Sequence, residues 1–329
     1  MKTKDISLFI TKINRDSVII NKRSRYLHKA KAILFSLFKF MILLGISYII
    51  LGPVISIISH SFFSPTDIYN PTAFLIPINP TLENYSLSFT RLHYFNTLGI
   101  TLLFVSLITL IQVLITSMAG YGFARFDFPL KKLLFACVII TIVLPTHTIM
   151  LPLYAHFRNW DVLGIFNLLL GHKVNFLSTQ APIVMMTLLG CGLRSGLFIY
   201  IFRQFFRGLP KEIEEAAFID GAGMVYTYLR IMLVNAVPAI ITVTVFSMVW
   251  QYNDVFYNTL FSVPAGRSIS QQLSSIQATL TFVDQIRDPN VVQLYIYAGV
   301  VLVILPILLI YLILQKYFIE GVERSGIVG

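Results

Sequence analysis

Six stretches of this chain, residues 40–59, 94–124, 133–157, 174–202, 231–253 and 289–315, run almost without a charged side chain; Arg194 alone interrupts one of them. Each is about as long as the 20 or so apolar residues needed to cross roughly 30 Å of hydrocarbon. A water-soluble fold has nowhere to put so many. The composition agrees: 56% of the 329 residues are hydrophobic, 12% are charged, and the mean hydropathy is +0.77. The expectation is an all-α membrane protein with six transmembrane helices. A basic, polar segment of more than 30 residues precedes the first stretch, so that stretch reads as a retained span rather than a cleaved signal.

Lys and Arg set the orientation, because positively charged loops stay on the cytoplasmic side. With the N-terminus inside, the inner segments carry nine such residues in 1–32, three in 125–132, four in 203–230 and two near the C-terminus. The outer loops hold only Arg91, Arg158, Lys173, Arg267 and Arg287. Both termini are therefore expected in the cytoplasm. The net charge of +10 then follows from topology and contact with anionic lipid, which leaves nothing to support a nucleic-acid partner. Residues 1–32 form a basic cytoplasmic segment, suited either to a helix lying on the inner membrane surface or to a disordered tail. Cys137 and Cys191 fall inside expected spans and read as small buried residues. His60, His93, His147 and His156 lack metal-ligand spacing.

The inner loops are short except for one, at about 204–229, which contains "KEIEEAAFIDGAG". Pro210 suits a first helical position. Glu212, Glu214 and Glu215 crowd the first turn, where the helix dipole favours acids. Small residues follow, and Gly221 and Gly223 end the segment. This predicts a helix of about three turns, acidic at one end and low in profile, so that a partner surface can approach its backbone and meet a carboxylate. A solvated connecting loop is the plainer alternative. The continuation "MVYTYLRIMLVNAVPAI" runs straight into the fifth span, which ties the small helix to a transmembrane one.

Glu215-Ala216-Ala217, then Asp220-Gly221-Ala222, with Tyr228, Ile231, Leu233 and Pro238 beyond, resemble the EAA motif of ABC importer permeases, in particular the carbohydrate class similar to the maltose permease small subunit. "NPTLENY", "AGYGFARFDFP", "LPTHTIMLPLY", "FRQFFRGLPKEIEEAA", "QYNDVFYNTLF" and "QKYFIEGVERSGIVG" follow the family in order and spacing, and the resemblance covers residues 40–329. Two positions depart from it. Val234 stands where the family has Pro, and the tail ends without the usual Lys.

The resemblance implies a cytoplasmic coupling helix between the fourth and fifth spans of a domain covering 33–329. It implies a heterodimer with a second permease, two ATPase subunits that hold ATP and Mg, an extracellular solute-binding protein and an oligosaccharide substrate, all in the bacterial cytoplasmic membrane. Carried over by position, Glu215 meets a basic ATPase residue, Ala216, Ala217 and Ala222 permit close docking, Gly221 makes the turn and Asp220 caps. The chain itself has no G-x-x-x-x-G-K-[ST] loop, so this subunit is expected to be a transport component without catalytic residues, metal or bound cofactor.

For the substrate path the sequence offers Arg194, deep in the fourth span, where an Arg faces either a cavity or a structural partner. Asn253 and Asp254 at the outer end of the fifth span, with Tyr200, Tyr252 and Trp250 as surfaces for sugar rings, complete the candidates. An Arg in the path suits uronate-containing oligosaccharides. Peptide or phosphosugar import is the alternative within the class. An ion-coupled carrier would need buried acids at mid-membrane, and a membrane enzyme would need His or Asp clusters.

Overall fold

The computed structural model describes the backbone of residues 3–161 and 164–326 and the side chains of residues 31–161, 164–169 and 171–316. The surface character expected of residues 1–30 and the tail residues 327–329 lie outside the described residues. Contacts divide the chain into residues 1–59 and 60–329. The first unit lies in helix α1 (Thr3–His60), whose portion Lys31–His60 is long and apolar enough to cross a membrane.

Among its described residues the regular secondary structure of the second unit is helical, apart from one isolated bridge between Trp160 and Val174. Its helices are α2 (Glu83–Arg91), α3 (Tyr94–Arg125), α4 (Lys131–Val143), α5 (Met150–Arg158), α6 (Ile165–Leu170), α7 (Ala181–Leu188) and α8 (Ser195–Gly208). They continue with α9 (Glu212–Ile219), α10 (Met224–Thr227), α11 (Leu233–Asn235), α12 (Val237–Tyr252), α13 (Phe256–Leu260), α14 (Ile269–Phe282) and α15 (Pro289–Gly326). A π-turn at Tyr228–Met232 joins α10 to α11.

Among the described residues three helices are long and apolar enough to span alone: Lys31–His60, Tyr94–Arg125 and Pro289–Lys316. Two bent helix pairs add to these only where each pair makes one broken span. The stretch 133–157, expected as one span, turns by 105° between α4 and the helical segment Thr146–Arg158. Its cause is Pro145, which forces Leu144 into extended backbone (ψ 125°). The stretch leading into α12 turns by 77° at Ala236. There Pro238 has no N–H to offer the Val234 carbonyl one turn back, so the bend forms with Val234 in the place of the family's Pro.

The expected span 174–202 is also two helices, α7 and α8, separated by a turn at 189–194 that ends with Arg194 in left-handed backbone (φ 59°). Cys137, on α4, and Cys191, in this turn, are free and exposed rather than buried, because both sit on the periphery of the subunit.

Helix α3 packs most extensively on α8. At Gly120 the two backbones come so close that a Cβ would lie 2.5 Å from Phe202 Cβ and 2.9 Å from Arg203 N; only Gly permits that crossing. Around it Tyr121, Phe198, Phe202, Phe206, Tyr228, Met232 and Val243 form a buried cluster shared by α3, α8, the π-turn and α12. A second cluster joins α3, α12, α14 and α15 through Val105, Tyr252, Ile276, Leu280 and Val303.

Candidate functional site

Helix α9 has eight residues, about 12 Å at 1.5 Å per residue, shorter than the three turns expected. It stops because Gly221 adopts φ +83°, and the Ala222 N–H then closes back on the Ala217 carbonyl at 2.9 Å. Asp220 occupies the C-terminal cap position, but its backbone N–H makes the closing bond, to Ala216, and its side chain makes none. Asp220 thus stands where a cap was expected and closes the helix through its backbone, while its carboxylate is exposed.

The three glutamates of the first turn have different fates. Glu212 and Glu215 are exposed, whereas Glu214 is 7% exposed. Glu214 Oε2 lies 2.9 Å from Arg125 Nε at the end of α3, and its Oε1 accepts the phenolic hydrogen of Tyr121 at 2.7 Å. Arg125 also donates through Nη2 to the Leu209 carbonyl (2.8 Å). Both carboxylate oxygens are thus engaged in a buried ion pair, while the Arg125 Nε stands within ion-pair distance of Glu214 without making a hydrogen bond of its own. Tyr121 rests edge-on against Phe206 and near Tyr228, whose hydroxyl lies 2.8 Å from Ser117 Oγ. The small helix is consequently bolted to α3 by Glu214.

The outward face of α9 and its cap carries Glu212, Glu215, Ala216, Phe218, Ile219 and Asp220. Beside them lies a cleft of about 640 Å³ lined by Ala217, Asp220, Gly221, Ala222, Gly223, Tyr226, Arg230 and Ile231. Ala217 is 6% exposed and forms the floor of this cleft, so the clearance expected of three alanines falls to Ala216 and Ala222.

At the other end of the fold the substrate-path candidates separate. Tyr252 is fully buried and donates its hydroxyl to the Val303 carbonyl at 2.7 Å, so it offers no face to a sugar ring. Trp250 stacks against Phe198 and Phe246. Asp254 is 7% exposed and receives the Tyr257 N–H at 3.2 Å, capping α13. Burial pushes its carboxyl up to about 6, against two backbone hydrogen bonds that lower it. Three candidates stay accessible. Arg194 is exposed at the start of α8, its guanidinium 5.5 Å from the Trp250 ring centroid; Tyr200 is part-exposed beside Phe135; and Asn253 is exposed, its amide donating to Val249.

Arg194 is positioned by residues that composition alone did not single out. Fully buried Gln112, in the middle of α3, donates to the Leu193 carbonyl (2.5 Å) and lies 3.2 Å from Ser195 Oγ. It accepts from Ser247 (2.7 Å) and Gln251 (3.3 Å) of α12. One amide thereby ties α3, α12 and the α7–α8 turn together. A lone Gln inside an apolar span was the available signal.

The loop between α1 and α2 is fastened in the same way. Asn79 donates its backbone N–H and side-chain amide to Asp67 at 2.8 and 2.9 Å, and Asn84 reaches the carbonyls of Ser61 and Phe63. Burial raises the Asp67 carboxyl, but the hydrogen bonds from Asn79, Ser64 and the Ile78 backbone outweigh it and hold it below its ordinary value. The "NPTLENY" motif is a clasp for this loop.

An all-helical body with spanning helices, broken spans and a small anchored helix outside them defines an integral membrane transport subunit. The chain belongs to the family described as binding-protein-dependent transport system inner membrane component, whose profile matches residues 112–324, and it is a multi-pass protein of the cytoplasmic membrane.

A probable ABC transporter permease of Pyrococcus horikoshii is 28% identical over 84% of this chain and 92% of that protein. The arabinooligosaccharides transport system permease protein AraQ of Halalkalibacterium halodurans is 26% identical, covering 86% and 93%. The diacetylchitobiose uptake system permease protein NgcG of Streptomyces coelicolor is 26% identical, covering 85% and 84%. In fold the chain is similar to a bacterial ABC transporter involved in the import of the acidic polysaccharide alginate, with a TM-score of 0.67 and 19% identity over 87% of this chain and 96% of that one.

Proposed function

We propose that this chain is the transmembrane permease subunit of an ATP-driven, binding-protein-dependent importer of oligosaccharides, including uronate-containing ones. The observation that carries the reading is the split of the α9 acids: Glu214 fastens the helix to α3 while Glu215, Ala216 and Asp220 face outward beside the cleft. An ATPase subunit seated on that surface would move α3 and α12 when it closes. Glu215 then meets a basic ATPase residue, Ala216 and Ala222 give clearance above Ala217, and Gly221 holds the turn. The same reading assigns ATP and Mg to two ATPase copies, pairs the chain with a second permease and brings a solute-binding protein to the outer loops. Both termini lie in the cytoplasm.

The sugar class is supported by relatives named for arabino-oligosaccharides, diacetylchitobiose, and melibiose, raffinose and stachyose. Exposed Arg194, Tyr200 and Asn253 remain the path residues of this proposal, and Arg194 is the group that favours an acidic glycan. The test is ATPase stimulation of the lipid-reconstituted complex, with its binding protein, by a panel of neutral and acidic oligosaccharides. No response to any glycan removes the sugar assignment, and a response to neutral glycans only removes the acidic one.

A further inference from the structure

Beside the root of α9 lies a second cavity, of about 390 Å³, lined by Phe123, Ala124, Arg125, Lys131, Arg203, Arg207 and Lys211. Five of its seven lining residues are cations and none is an acid. Arg125 is neutralised by Glu214 and Lys131 by Asp127 at 3.2 Å. Among the described residues Arg203, Arg207 and Lys211 have no carboxylate partner. Arg203 and Arg207 stand one turn apart on α8, a like-charge spacing that costs stability unless an anion intervenes. Arg203 is fixed, its guanidinium 3.9 Å from the Phe135 ring centroid, and its buried Nε has no hydrogen-bond partner.

Three features choose the anion. The cavity sits where α3 ends, α4 begins and α8 ends, at the boundary between apolar helix and polar loop. Its charge has the sign and number that hold a phosphodiester. Next to it Leu130, Leu133, Leu134 and Ile140 leave the start of α4 exposed and apolar, a track for acyl chains rather than for an acidic protein surface.

We propose that this cavity binds the phosphate of an anionic phospholipid of the inner leaflet, with its acyl chains along α4. The assignment rests on the inside orientation of this end of the fold. Arg125 belongs both to the cavity and to the bolt on α9, so lipid occupancy stiffens the base of the coupling helix.

The test uses the whole transporter, with its second permease and ATPase, in nanodiscs of phosphatidylcholine with and without phosphatidylglycerol. Retained lipid is read by native mass spectrometry and stability by thermal melting. Wild type should retain phosphatidylglycerol and melt higher with it. Arg203→Gln combined with Arg207→Gln should weaken retention about thirtyfold, at roughly fivefold per cation, and abolish the shift. Arg203→Lys, which keeps the charge in a conservative frame, should retain most of both, and Lys132→Gln, a neighbouring cation outside the cavity, should change neither.

Equal retention in the double variant, or an equal loss in Lys132→Gln, overturns the site. Stabilisation by inorganic phosphate alone overturns the lipid as its source. Release of the ATPase from the double variant in pure phosphatidylcholine assigns the cavity to a protein contact instead. Failure of every glycan to stimulate ATPase would remove the sugar reading and leave this result untouched.

Discussion

Tyr121 and Glu214 meet through a 2.7 Å hydrogen bond across 93 residues of chain, and Arg125 completes the contact from the other carboxylate oxygen. The end of a membrane helix and the start of a two-turn surface helix are thereby one mechanical unit. Removing one partner of a buried pair strands the other charge, which costs about 3–5 kcal/mol. Glu214→Ala should therefore lower the melting temperature of the complex and uncouple ATP hydrolysis from uptake, and Glu214→Gln should do so less. An unchanged melting curve for Glu214→Ala would show that the bolt carries no load.

Glu215→Ala makes the opposite forecast. Its carboxylate is exposed, so the subunit should melt as wild type does while transport falls through weakened ATPase docking. Binding of the isolated ATPase to permease in detergent reads this directly, and wild-type affinity would exclude Glu215 from the interface.

The same division applies to the alanines and the turn. Ala216→Trp should leave folding intact and block docking, since Ala216 faces outward, whereas Ala217→Trp forces an indole into a site only 6% exposed and should damage folding. Gly221→Pro should insert in the membrane normally and abolish uptake, because a proline ring cannot adopt φ +83°. Robust transport by Gly221→Pro removes the role of this turn.

Asp254 sets a pH dependence. Its carboxyl rises from 3.8 to about 6 on folding, so the folded protein holds the proton more tightly and stability falls as pH climbs from about 4 to about 6. Above that window the loss is complete and constant. Asp254→Asn keeps an oxygen for the Tyr257 N–H and cannot ionise. The melting temperature of wild type relative to this variant should drop across the window and level off beyond it; a constant difference from pH 4 to 7 refutes the shift.

At the α3–α8 crossing, Gly120→Ala should cost about 1–3 kcal/mol by overpacking, measured as a lower melting temperature. The nearest atoms are Phe202 Cβ and the Arg203 backbone, which cannot swing aside.

Much of this architecture was legible in the chain. Uncharged length gave the apolar segments, and the Glu-Ala-Ala and Asp-Gly-Ala spacing located α9. The division of labour among the three first-turn glutamates was not legible, because all three suit a helix start and only the remote Arg125 and Tyr121 decide which turns inward. Unbroken spans were expected where Pro145 and the turn before Arg194 bend or break them; hydropathy counts apolar residues and is blind to backbone direction. Tyr252 illustrates the same limit. An aromatic residue near the end of a span serves equally well in a pathway wall or a helix seam, and the Val303 carbonyl makes it the latter.

The break between α7 and α8 has a consequence for how the protein is made. Eight residues of α7 extend about 12 Å, well short of the roughly 30 Å of a bilayer interior, so α7 cannot lodge in lipid as an autonomous segment during synthesis. Its exposed turn carbonyls need partners that lipid does not supply, and Gln112 of α3 provides one at Leu193. The ribosome delivers α3 before α7. Biogenesis of the fourth segment is thus templated by an earlier one, and an error at Gln112 would appear first as failed insertion, before any sugar or nucleotide is present.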